Sequence, residues 1–117
     1  MAVHDPQKEG RLARELFETG LMSDTKWRKL FAAIEGSSLV VSSMIVKFID
    51  VSEPAILEFP PSLRCPRPYM DTIEYGPVEL RAIEWLEFSA DIEEIADNLG
   101  LYPLERQGAG TRIIGYK

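Results

Sequence analysis

The chain has 117 residues, 45% of them apolar, and a formal net charge of −6. That length gives one domain over residues 1–117 as the prior, and an apolar share of ordinary globular size excludes wholesale disorder. The single cysteine, Cys65, excludes an internal disulfide and a cysteine-rich metal site; residues 1–10 are polar and no apolar run approaches the ~18 residues that span a bilayer, so no membrane partner is expected and the protein reads as cytoplasmic.

Asp5 and Pro6 open a predicted first helix, the aspartate as cap and the proline at the first helical position. Leu12, Leu16 and Phe17 mark its apolar stripe, and Gly20 ends it. Met22 is itself a possible start, which sets residues 1–21 apart as a candidate N-terminal helical extension. A second helix follows, capped by Ser23 or Asp24. Its Trp27, Leu30, Phe31 and Ile34 recur at i, i+3, i+4, i+7, and Gly36 closes it. That stripe reads as core packed on a sheet.

Residues 44–59 carry the clearest strand signature, two antiparallel strands and their turn. Met44, Val46 and Phe48 alternate with Ile45, Lys47, Ile49 and Val51. After the turn, Ala55, Leu57 and Phe59 alternate with Ile56 and Glu58. Pro60, Pro61, Pro66 and Pro68 then make residues 60–69 an extended loop, where Arg64 and Arg67 are candidates to hold an anion or a carboxylate.

Residues 78–88 read as a third strand. Val78, Leu80, Ala82, Leu86 and Phe88 share one face, interrupted by Glu84; Glu79, Arg81, Ile83, Trp85 and Glu87 share the other. The apolar pair Ile83 and Trp85, ringed by charge, is either covered by a helix or an exposed patch of the kind partners use. Residues 91–99 form a short helix with an Asp91 and Glu94 capping box and a buried stripe of Ile92, Ile95, Ala96 and Leu99. Glu93 and Asp97 sit together on it at i, i+4, a like-charge pair. A last hairpin spans residues 101–107 and 111–116 about Gly108 and Gly110. The sum is an α+β fold: a mostly antiparallel sheet of about five strands, with two N-terminal helices and one short C-terminal helix packed on it.

Charge gathers in one stretch. Residues 71–100 hold nine acids against Arg81 alone, a net of −8. Such a region repels nucleic acid and anionic membrane and steers a basic partner. Catalytic motifs are wanting. His4 is the only histidine, which argues against a Ser-His-Asp arrangement and a histidine-based zinc site. Gly108-Ala109-Gly110 lacks the lysine and the strand–loop–helix context of a phosphate loop. The carboxylate pairs Asp71 with Glu74 and Glu84 with Glu87 suit acid–base chemistry or an oxygen-ligand metal, but nine acids in one stretch generate such pairs by number alone.

The run Met22-Ser23-Asp24-Thr25-Lys26-Trp27-Arg28-Lys29-Leu30-Phe31 resembles the opening helix of certain small bacterial proteins. The size, acidity and want of a catalytic motif are similar to those of immunity proteins of contact-dependent and polymorphic toxin systems. The resemblance implies a cytosolic inhibitor that binds one cognate toxin domain, and it transfers no functional residue. The residues themselves point to a partner-binding protein with no cofactor, no metal and no catalytic residue assigned. Glu84, Glu87, Glu93 and Asp97 are expected to pair with basic residues of a protein partner, with Trp85 as the anchor of the contact. Two alternatives stand beside it: a small enzyme or enzyme-associated subunit working through Asp71 and Glu74, and an oligomeric structural module pairing the edge of the 101–116 hairpin.

Overall fold

The computed structural model describes residues 20–117. The helix expected after Asp5 lies outside them.

Ser23 starts α1 (Asp24–Glu35): its hydroxyl accepts the Lys26 N–H at 3.1 Å, satisfying a donor that the first helical turn leaves orphaned. Trp27, Leu30, Phe31 and Ile34 are buried, as their spacing predicts. Each such side chain contributes about 2 kcal/mol on leaving water. Trp27 stacks on Phe31, Phe31 meets Phe59 edge-on at 6.0 Å, and Phe59 meets Phe88 at 5.3 Å. A chain of rings therefore ties the helix to the sheet.

β1 (Ser43–Phe48) and β2 (Ala55–Glu58) pair antiparallel, with Met44 opposite Leu57 and Ile45 opposite Ile56. Ile49, expected on the outer face, is buried, because β1 has ended at Phe48. The proline loop begins at a cis Phe59–Pro60 peptide. It leads to a hairpin that the sequence reading lacks, β3 (Tyr69–Thr72) and β4 (Gly76–Glu79). Thr72 shapes its turn: the hydroxyl donates to the Gly76 carbonyl and accepts the Tyr75 N–H, both at 3.0 Å, while Gly76 takes φ +70°. Glu74, within that turn, accepts the Glu58 N–H at 3.0 Å and so covers the outer edge of β2.

The single strand expected over residues 78–88 is instead β4, one turn of 3₁₀ helix (Leu80–Ala82) and β5 (Ile83–Phe88). Two backbone bonds fix the turn: Leu80 N–H donates to Pro68 O at 2.8 Å, and Ile49 N–H donates to Ala82 O at 2.9 Å. Val78, Leu80, Ala82, Leu86 and Phe88 are all buried, as expected, but the expected pairing of Ile83 with Trp85 on one face is overturned. Ile83 points inward, fully buried with Leu86 and Phe88. Between them β5 bulges. Phe48 opposes Ile83 whereas Lys47 opposes Trp85, which leaves Glu84 as the extra residue.

α2 (Glu93–Leu99) starts later than expected. Asp91 accepts the Glu93 N–H at 3.0 Å, in place of a capping box closed by Glu94. Ile92 and Ala96 enter the core, but Leu99 is 39% exposed, which corrects the predicted stripe. β6 (Leu104–Gln107) and β7 (Gly110–Ile114) close the sheet in the order β2-β1-β5-β7-β6, antiparallel at every pairing. A Cβ at Gly110 would sit 2.2 Å from the Phe88 carbonyl oxygen, and one at Gly115 2.2 Å from that of Ile83, so β5 and β7 approach where only glycine fits. The described residues thus form an α+β structure. Both α-helices pack on one face of a five-stranded antiparallel sheet, around a core shared by Trp27, Phe31, Ile92 and the inward residues of β1, β5 and β7.

Candidate functional site

The five residues expected to form one contact surface fall on two sides of the sheet. Register places Ile45, Glu87, Arg112 and Glu105 in a row across β1, β5, β7 and β6, on the face away from α1 and α2. Lys47, Trp85 and Ile114 form the next row. Glu87 therefore shares a face with Trp85, as expected, and the bulge brings Glu84, expected on the other face, to Lys47 on this one. The charges of Glu84 and Glu87 are answered inside the sheet, however. Lys47 Nζ lies 3.3 Å from Glu84 Oε1. Arg112 donates to Glu87 Oε1 from Nε at 3.3 Å and from Nη2 at 3.2 Å. The same guanidinium caps the Trp85 ring at 3.9 Å from its centroid. An ion pair half shielded from water contributes on the order of 1 kcal/mol, and cation–π stacking adds about as much. Trp85 is half-buried, so its indole is neither sealed in the core nor standing free.

Glu93 and Asp97 lie on α2, beyond the opposite face. Arg106 reaches Glu93 at 3.0 Å and Asp91 at 3.2 Å, a bridge too exposed to add much stability. Asp97 and Glu94 are exposed and take part in no ion pair among the described residues. Past the helix end come Leu99 and then Leu101, the latter 91% exposed. Lys26 holds this end to the start of α1: its ammonium donates to the Leu101 carbonyl at 2.6 Å and sits 5.1 Å over the Tyr102 ring. Tyr102 returns a hydroxyl bond to the Lys26 carbonyl at 3.2 Å, and burial pushes its phenol above the usual value. A positioned helix end thus presents four carboxylates beside two water-exposed leucines.

Comparison with protein-family models, with curated proteins and with solved structures finds no match for this chain. Among the described residues no helix is long and apolar enough to cross a membrane, and no group of three or more His, Cys, Asp or Glu side chains is placed to hold a metal ion.

Asp71 and Glu74 have different surroundings. Glu74 accepts the Glu58 amide at Oε2. Asp71 lines a groove of about 640 Å³ with Glu35, Glu58, Pro60 and Arg64, and its backbone exchanges two 2.9 Å bonds with Ser62.

Sequence reasoning missed the internal cations that answer Glu84 and Glu87, because Lys47 and Arg112 lie 37 and 25 residues away along the chain. It also missed the exposure of Leu99 and Leu101. The only local signal for that was Gly100 between them, which at φ +145° turns the chain away from the helix.

Proposed function

We propose that the protein is a cytoplasmic, immunity-type binding protein that neutralises a cognate toxin by covering its basic active-site surface. The supporting observation is the solvent face of α2. Asp91, Glu93, Glu94 and Asp97 have Arg106 as their one salt-bridge partner among the described residues, and the apolar Leu99 and Leu101 follow them in the chain. The carboxylates steer a lysine- and arginine-rich partner and select it, and the leucines supply apolar area that leaves water on contact. Glu93 and Asp97 keep the role expected of them. Glu84, Glu87 and Trp85 form a charge-balanced patch on the other side of the sheet, and this reading does not require them.

The test is binding to the toxin domain encoded beside the gene, by calorimetry at two salt concentrations. Glu93→Lys with Asp97→Lys weakens affinity at least about tenfold and flattens the salt dependence, whereas Glu84→Gln with Glu87→Gln leaves both near wild type. Unchanged affinity and salt slope in the α2 double variant would refute the charge mechanism.

A further inference from the structure

A second, oppositely charged feature lies across α1 from the acidic helix. A depression of about 410 Å³ opens between α1 and the proline loop, lined by Thr25, Arg28, Lys29, Cys65 and Arg67. We propose that it binds a phosphate-type oxyanion, either the free ion or the phosphate group of a small phosphomonoester.

Three observations carry this inference. First, the cations are not neutralised. Lys47, Arg81, Arg106 and Arg112 each have a carboxylate partner, while Arg28, Lys29 and Arg67 take part in no ion pair among the described residues. Three like charges that converge on one cavity repel one another, and a dianion relieves that repulsion. Second, the walls are held in place. Arg28 donates to the carbonyls of Leu63 at 2.5 Å, Tyr69 at 3.1 Å and Arg67 at 3.3 Å, which clamps the loop to the helix. Arg67 reaches back to the Thr25 hydroxyl. The site is thus assembled before any ligand arrives, which lowers the ordering cost of binding.

Third, the donor set fits a tetrahedral dianion better than a carboxylate. Arg28 keeps two N–H groups beyond the three bonds it makes, Lys29 offers three, and Arg67 holds further guanidinium donors. Thr25, accepting from Arg67, still has its hydroxyl proton to give. A carboxylate has too few oxygens and too little charge for that many donors. Asp24 stands near Arg28 and Arg67 and offsets part of their charge. Burial, and then Glu79, hold its carboxyl above the usual value against the pull of Arg81, Arg67 and Arg28.

The experiment is a titration of the full chain, followed through the backbone amide resonances of residues 25–29 and 65–67 at constant ionic strength. Sodium phosphate shifts these resonances saturably with a dissociation constant of about 1 mM, while sodium acetate produces no saturating shift in the same range. Lys29→Ala and Arg67→Ala each weaken phosphate binding about fivefold, the effect of removing one half-screened charge contact. Both residues are exposed, so the fold survives the change. Arg64→Ala, whose side chain borders the other groove, leaves the binding as it was. Adenosine 5′-monophosphate distinguishes the two sources: tighter binding than inorganic phosphate assigns the site to a phosphomonoester, and equal binding assigns it to the free ion. Shifts that fail to saturate, that acetate reproduces, or that persist unchanged in the Lys29 and Arg67 variants would overturn the proposal.

Discussion

Replacing Arg28 by alanine tests how the proline loop is held. No regular structure spans residues 63–68, and three of their surrounding carbonyls converge on one guanidinium. A bond from a charged donor contributes about 1.5–3 kcal/mol, and the two half-buried acceptors, Leu63 and Tyr69, lose the most when it goes. The contact with Arg67 is exposed and long at 3.3 Å, and adds little. The expected loss is about 3 kcal/mol, against a total stability of about 5–15 kcal/mol for a domain this size. With a urea slope of about 1.3 kcal/mol per molar, the unfolding midpoint falls by about 2 M. Unfolding followed by fluorescence of the buried Trp27 measures it. Hydrogen exchange localises it, because the amides of Ser62, Tyr69 and Asp71 bond within this region and should lose protection first. Arg28→Lys should recover less than half the loss, since an ammonium cannot fork to several acceptors. A midpoint shift below about 0.4 M for alanine, or a lysine variant as stable as wild type, would refute the clamp.

Two further outcomes are expected. Gly115→Ala forces a methyl against the Ile83 carbonyl oxygen at 2.2 Å, which parts β5 from β7 at the bulge; a loss of about 3 kcal/mol, or about 10 °C in Tm, should appear in thermal circular dichroism. Asp24→Asn should become more favourable to stability as pH rises. The native carboxyl binds its proton more tightly than the unfolded one, so the wild type loses stability through the window just above the usual carboxylate value, and asparagine does not. Urea midpoints between pH about 4 and 7 will show a widening advantage for the variant, and a constant difference would exclude the effect.

Periodicity identified the elements whose phase is set locally. The stripe on α1 and the alternation of β1 and β2 are both satisfied by one helix face and one sheet face, so the residues announce them. The continuous strand expected over residues 78–88 is interrupted for a tertiary reason. Its expected inner residues Val78, Leu80, Ala82, Leu86 and Phe88 are all buried; the bulge at Glu84 sends Ile83 inward with them, and the strand is broken by the 3₁₀ turn at Leu80–Ala82. The bonds that hold it come from Pro68 and Ile49, distant in the chain. The β3–β4 hairpin was hidden because prolines precede it and its strands have four residues each. The charge reading was half legible for a similar cause. Acids counted along residues 71–100 look unopposed, yet Lys47 and Arg112 reach Glu84 and Glu87 in space. Among the described residues, the exposed turns of α2 keep the excess that the sequence suggested, as do Asp71 and Glu74 before them.

The carboxylate of Glu74 seated on the Glu58 amide has a consequence for how copies of this protein behave when crowded. One flank of the sheet arrives already occupied by a charge. A strand from another molecule docking there would have to evict that charge and lie against Ile56, at 72% exposure the most inviting apolar residue of β2. Fibre-like growth is thereby discouraged on the side where it would otherwise start most readily. The far flank offers β6, where Glu105, Arg106 and Gln107 are all turned to water, and stacking in that direction meets polar side chains instead of a sticky template.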